Sequence, residues 1–241
     1  MQSKPAQLHP QTNLSQLPHR NTNMARASPW KAVNTPLPPP SATELSHGFT
    51  IHAPSSSDLW ETPATAPVFT CPMIYQSIPL GSFRRSRVTI TADLKDRYAQ
   101  GGLALIIHRP DAARAWVKAG VEFMDGEQLV CVVGRDRLPD ASLGTLITTS
   151  SGSGSDADAA EAEVTIEMVR EDTGLAVFEI LAGDGSGHGK RKVIREMAWV
   201  FSASGDEECW IGAYAAKPAG DAKDPDIAVR FRGLVVEVLD T

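Results

Sequence analysis

Lys118 and Glu122 are the two residues of this chain whose types and spacing best fit chemistry. They lie in the run Trp116-Val117-Lys118-Ala119-Gly120-Val121-Glu122-Phe123-Met124-Asp125-Gly126. Successive side chains of a strand point to opposite faces. As a strand, this run puts Trp116, Lys118, Gly120, Glu122 and Met124 on one side and Val117, Ala119, Val121 and Phe123 on the other. The second set is apolar throughout and reads as core. The first places an ammonium and a carboxylate about 13 Å apart, at a rise of roughly 3.3 Å per residue, beside an indole and a glycine that leaves room above the sheet. Two readings stay open: a partly solvated ion pair with neighbouring strands, as is ordinary on the open face of an antiparallel sheet, or the floor of a binding groove.

Two further strand-like runs carry polar and aromatic groups on one face. Arg195, Met197 and Trp199 alternate within Val193–Phe201, and Trp210, Gly212 and Tyr214 alternate within Trp210–Ala215. Joined to the face of Lys118 and Glu122, they would form a shallow concave surface of indoles, a phenol, a guanidinium and an ion pair, suited to a polar ring-shaped ligand or to a partner's loop. The candidate ligand-binding set is therefore Lys118, Glu122, Arg195, Trp199, Trp116 and Tyr214. In the competing arrangement the aromatics face the core and the charges rim it.

Other chemistries find no support in the spacing. The glycine-rich segment Gly183-Asp184-Gly185-Ser186-Gly187-His188-Gly189-Lys190 has strand-like runs on both sides, whereas a phosphate cradle leads into a helix N-terminus; it reads as a flexible hairpin loop. Asp221, Asp224 and Asp226 lack calcium-loop spacing and a closing Glu. The six histidines do not cluster, and no nucleophile elbow is present. Cys71, Cys131 and Cys209 are an odd, widely spaced set that indicates neither a disulfide framework nor a zinc site and fits a reducing compartment. No cofactor and no metal is called for.

A formal charge of −6 over 241 residues offers no basic footprint for nucleic acid. No segment approaches the ~18 apolar residues of a membrane span, and the N-terminus lacks a secretory apolar region. The expectation is a cytoplasmic protein. Residues 1–43 contain no Asp or Glu, as organellar transit peptides do, but Pro5, Pro10 and Pro18 interrupt the amphipathic helix such a peptide needs.

These groups must be positioned by strands. From Phe49 onward, short segments of period-2 patterning rich in Val, Ile, Phe and Thr are separated by Gly, Pro, Asp and Ser. The clearest are residues 87–92, 102–108, 115–124, 128–134, 163–170, 176–181, 193–201, 210–215 and 229–239. Without a convincing helical face, they argue for an all-β antiparallel two-sheet sandwich. Asp125-Gly126 is a hairpin signal of the primed-turn type. Residues 1–46, ending near Pro36-Leu37-Pro38-Pro39-Pro40, read as a disordered proline-rich tail, and residues 47–241 as one sandwich domain with a flexible insertion near 148–162.

Four ordered motifs carry a resemblance. Phe49-x-Ile51-x-Ala53-Pro54 with Asp58-Leu59-Trp60-Glu61-Thr62-Pro63, then Tyr98-Ala99-Gln100-Gly101-Gly102-Leu103, Lys118-Ala119-Gly120-Val121-Glu122-Phe123, and Trp210-Ile211-Gly212-Ala213-Tyr214-Ala215-Ala216-Lys217-Pro218 resemble the fungal regulation-of-enolase proteins over about residues 47–239. Two positions depart from that pattern: Ala99 stands where the family has an acidic residue, and Asp140-Ala141-Ser142 replaces Asp-Trp-Ser. The resemblance implies a concanavalin A-like jelly roll and a cytoplasmic, non-catalytic regulatory protein whose partner is enolase or another metabolic enzyme. The same fold houses glycan hydrolases and lectins. Their E-x-D-x-x-E carboxylates are absent here, and Glu163 and Glu167 lie about 13 Å apart along a strand, too far for the ~5–5.5 Å of a retaining pair. The alternative is therefore a sandwich that binds a sugar or small metabolite, with isomerase or cyclase activity as its extension; whether the protein is an enzyme stays open.

Overall fold

The computed structural model describes residues 28–109, 114–146, 162–181, 189–202 and 207–239. The insertion expected near 148–162, all but Ala162, and most of the glycine-rich segment 183–190 lie outside the described residues.

The first half of the chain supplies β1 (Trp30–Val33), α1 (Ala42–His47), β2 (Phe49–Ala53), β3 (Leu59–Thr62), β4 (Thr65–Phe69), β5 (Met73–Pro79), β6 (Phe83–Ala92) and β7 (Gln100–His108). The second half supplies β8 (Arg114–Met124), β9 (Glu127–Arg135), β10 (Pro139–Thr145), β11 (Ala162–Glu171), β12 (Gly174–Leu181), β13 (Lys190–Met197), β14 (Glu208–Ala216) and β15 (Ile227–Val238). Seven strands form one sheet in the order β1-β5-β14-β7-β8-β9-β10, and six form the other in the order β13-β12-β11-β6-β15-β2. The pairings within both sheets are antiparallel, and β3 and β4 make a separate hairpin. This is the concanavalin A-like antiparallel sandwich.

The alternation in the sequence sets which face is core. Val117, Ala119 and Val121 of β8 join Leu103, Leu105 and Ile107 of β7, Ile211 and Ala213 of β14, and Val88, Ile90 and Ile166 of the opposite sheet in one inter-sheet cluster. Each of the Val, Leu and Ile side chains among them contributes about 1.5–3 kcal/mol on burial. Asp125 and Gly126 have φ of 51° and 91°, the left-handed pair that lets a two-residue turn follow the strand twist, and they fix the register Met124↔Glu127.

Three expectations are corrected. Residues 28–46 do not belong to a disordered tail: β1 pairs with β5 through Trp30↔Gln76 and Val33↔Met73, and α1 is closed by a reciprocal cap in which the Ser41 N–H donates to Glu44 Oε2 at 2.7 Å and the Glu44 N–H donates to Ser41 Oγ at 3.3 Å. Leu45 of this helix is in the core. A four-residue strand whose partner lies some forty residues on leaves almost no periodic signal, but Ser41-x-x-Glu44 is a capping-box spacing and was legible. Second, β13 ends at Met197, and residues 198–202 form a turn, so Val193–Phe201 is not one strand. Third, the face of Lys118 is not an open sheet face. Leu59 of the β3–β4 hairpin lies over it and joins Tyr75, Ile106, Trp116, Val133 and Tyr214 of the sheet in a second apolar cluster.

Candidate functional site

The floor of the site is set by register. In β8, Lys118 stands opposite Ala104 of β7 and Val133 of β9, Gly120 opposite Gly102 and Cys131, and Glu122 opposite Gln100 and Leu129. On the far side of β9, Ala141 and Leu143 of β10 continue these rows. Small residues beside long charged ones leave depth. Gly120 is required for a stricter reason: a Cβ there would sit 2.0 Å from the Gly101 carbonyl oxygen, and backbone cannot yield as a side-chain tip would.

The roof is the β3–β4 hairpin, which Lys118 fastens from below. Lys118 is 3% exposed. Its ammonium donates to the Leu59 carbonyl at 3.0 Å and lies 3.5 Å from Asp58 Oδ1. It also sits between two indoles, 5.3 Å from the Trp60 ring centre and 5.6 Å from that of Trp116. Asp58 Oδ1 in turn accepts from the Leu59 N–H at 2.7 Å, and the Asp58 carbonyl accepts from the N–H groups of Thr70 and Cys71. The cation is thus compensated by a carboxylate, a carbonyl and two π faces, as burial of a charge demands.

Between roof and floor lies a cavity of 410 Å³. Asp58 and Trp60 come from the hairpin, Tyr98 and Gln100 from the entry to β7, Lys118, Glu122 and Met124 from β8, Cys131 and Val133 from β9, Ala141 and Leu143 from β10, and Pro218 from the segment after β14. Gln100 is held at both ends of its amide: Nε2 donates to the Tyr98 carbonyl and Oε1 accepts from the Tyr214 hydroxyl, each at 3.0 Å. Beside Pro218, the buried Lys217 binds the Pro225 carbonyl at 2.9 Å and Asp96 at 3.3 Å, tying this wall to the turn that precedes Tyr98.

Burial dominates the electrostatics. Glu122 is 8% exposed, and its carboxyl is held above the usual glutamate range mainly by burial, opposed by the Cys131 thiol that donates to it and by the Lys118 charge. Cys131 is raised in turn by burial and by Glu122, which makes it an inert thiol rather than a nucleophile. Burial pushes Tyr214 well above the ordinary phenol range and Cys71 up to about 12. The groups facing the cavity are therefore a matched ammonium–carboxylate pair, a carboxyl biased toward its neutral form, an amide and a phenol. Among the described residues, no three His, Cys, Asp or Glu side chains are grouped to hold a metal ion, and no helix is long and apolar enough to cross a membrane.

Of the six candidates read from the sequence, Lys118 and Glu122 line the cavity, Trp116 lies beneath Lys118, and Tyr214 stands behind Gln100. Arg195 and Trp199 do not join them. Arg195 is on β13, in the other sheet, and its guanidinium crosses to the β9–β10 edge, donating to the Asp140 carbonyl at 2.9 Å, Asp140 Oδ2 at 2.6 Å and Ser142 Oγ at 2.9 Å. Trp199 is in the turn after β13 and packs against the inter-sheet core. Face alternation places residues within a strand but not one sheet relative to another. The cavity residues Asp58, Trp60, Tyr98 and Gln100 were missed as site residues although they stand in the Asp-Leu-Trp-Glu and Tyr-Ala-Gln-Gly motifs.

Residues 37–238 match the family described as a protein of unknown function (DUF1349). An uncharacterized protein, AN7484, of Emericella nidulans is 34% identical over 193 residues, spanning 80% of this chain and 88% of its own. A functionally unknown protein from Saccharomyces cerevisiae has a similar structure, with a TM-score of 0.64 at 16% identity over 88% of this chain and 97% of its own. The chain belongs to the DUF1349 family.

Proposed function

We propose that this family member binds a small, neutral, hydroxyl-rich ring, a sugar or a sugar-like metabolite, in the cavity between the β3–β4 hairpin and the seven-stranded sheet. The observation that carries the reading is the composition of the 410 Å³ cavity. An indole and a phenol offer apolar faces for a ring, while Asp58, Gln100, Lys118 and Glu122 offer hydrogen-bond donors and acceptors to its hydroxyls. Among the described lining residues the one cation is Lys118, and Asp58 already offsets it. That favours an uncharged ligand over a phosphate or a carboxylate. Isomerase or cyclase chemistry on such a ligand would draw its proton from Glu122. Three buried thiols suit a reducing compartment, and a cytoplasmic location is part of this reading.

Regulation of enolase rests on the sequence resemblance alone, and no feature of the cavity bears on it; purified enolase belongs in the test as a separate titrant. The test is calorimetric titration of the protein with neutral mono- and disaccharides, sugar phosphates and enolase, repeated with Glu122→Gln and Trp60→Ala. The expected result is binding of at least one neutral sugar, weakened about tenfold or more in each variant, the loss of one good hydrogen bond or stacking contact. Binding confined to charged metabolites, or to enolase with both variants unaffected, would overturn the reading.

A further inference from the structure

The cavity is bounded at both ends along the strand direction. At one end the β3–β4 hairpin lies across four strands of the sheet. Glu61 pairs with Arg135 of β9, Trp60 packs on Trp116 of β8 with ring centres 6.4 Å apart, and Leu59 shares an apolar cluster with Ile106 of β7. Phe69 meets Trp210 of β14 at 6.3 Å. With the Lys118 ammonium bound to the Leu59 carbonyl beneath, the hairpin is pinned down across its width, and the sheet face is closed past Trp60.

At the other end stands Tyr98. Its φ of 64° is left-handed, a conformation that costs a non-glycine residue roughly 1–2 kcal/mol. The strain is held by its N–H donating to the Phe123 carbonyl at 2.7 Å and by its carbonyl accepting from Gln100. The Arg97 guanidinium covers the Tyr98 ring, 4.8 Å from its centre. Between these ends, Lys118 to Glu122 spans about 13 Å of strand. Among the described residues, the β10 side of the cavity is formed by Ala141 and the exposed Leu143 of an edge strand, and the side facing it is walled by Pro218, whose neighbour Lys217 is tied to Asp96 and the Pro225 carbonyl.

We propose that the cavity takes a free sugar or the terminal ring of a short oligosaccharide, entering over β10, and excludes the interior of a polysaccharide. This rests on the sugar reading given above. A chain passing through would have to displace either the clamped hairpin or the Tyr98 turn, whereas a chain end needs neither to move.

The test uses soluble xylan, arabinan and β-1,3-glucan, each intact and partially acid-hydrolysed, titrated into the full chain at equal ring concentration and followed by calorimetry. For a chain end, affinity per ring rises with the number of ends, by about tenfold when the mean length falls about tenfold, and it is lost in both Trp60→Ala and Glu122→Gln. Intact polymer binding as tightly per ring as its hydrolysate would overturn the chain-end proposal and leave the sugar reading standing. Binding that survives both variants would place the ligand outside the cavity and overturn the proposal as well. If no polymer, hydrolysate or free sugar binds the wild type, the sugar reading itself fails and this proposal falls with it.

Discussion

Lys118 Nζ donates to the Leu59 carbonyl oxygen at 3.0 Å, and that bond joins the middle of the seven-stranded sheet to the hairpin that roofs it. The two residues are 59 positions apart in sequence. The contact gives Lys118 two roles: it neutralises the polar underside of the hairpin and it supplies one wall of the cavity. Removing the lysine would leave the Leu59 carbonyl and the Asp58 carboxylate without this cation.

Replacing Lys118 with Met tests that dual role. The apolar stem would still pack between Trp60 and Trp116, but the bond to Leu59 and the ion pair to Asp58 would be lost. The expected cost is about 1–3 kcal/mol, the penalty for stranding a buried acceptor, read as a lower urea midpoint with an unchanged slope. Amide exchange should quicken in residues 59–69. Unchanged stability would show that the hairpin is held by its apolar packing and the Glu61–Arg135 pair without Lys118.

The direction of the Glu122 shift fixes a pH dependence. Its carboxyl is raised in the folded state, chiefly by burial, so the native state holds the proton more tightly than the unfolded chain. The stability this gives is fully present below the ordinary glutamate range and is lost as pH rises through the raised folded value. Glu122→Gln keeps the shape and removes the titration. Plotted against pH, the stability of the variant relative to wild type should rise as pH climbs from the ordinary glutamate range through the raised folded value. A flat difference across that range would mean that Glu122 is not desolvated in solution. Chemical denaturation at four or five pH values settles it.

Removing residues 1–47 deletes β1 and α1. Trp30 and Ala32 pack against the core and Leu45 is within it, so the loss is expected at about 2–4 kcal/mol, or roughly 5–15 °C in thermal midpoint for a chain of this size. Ser41→Ala should reproduce about 1 kcal/mol of that through its cap alone. A truncated chain that melts with the full-length protein would restore the view that nothing before Phe49 matters to the sandwich.

Much of the fold was legible because a half-buried strand writes its environment into every second residue. Val117, Ala119 and Val121 announce a core face, and Asp125-Gly126 announces a turn. Local signals of this kind determined the fold class, the facing of β8 and the grouping of Lys118 with Glu122. What failed was whatever needed a distant partner. β1 is four residues long and makes sense only beside β5; β4 carries Pro67 and exposed side chains and reads as loop.

The site shows the same division more sharply. Which residues of one strand share a face follows from the pleat and needs only sequence. Whether Arg195 stands beside Lys118 depends on which sheet β13 joins, and alternation says nothing about that. The sheet order put β13 at the far edge of the six-stranded sheet and turned its guanidinium toward Asp140, while it laid Asp58 and Trp60, from a segment with little strand signal, over the charged face of β8. Local residue patterns set the chemistry available on each strand. Long-range strand pairing, which no local pattern encodes, selects which of those groups meet around one cavity.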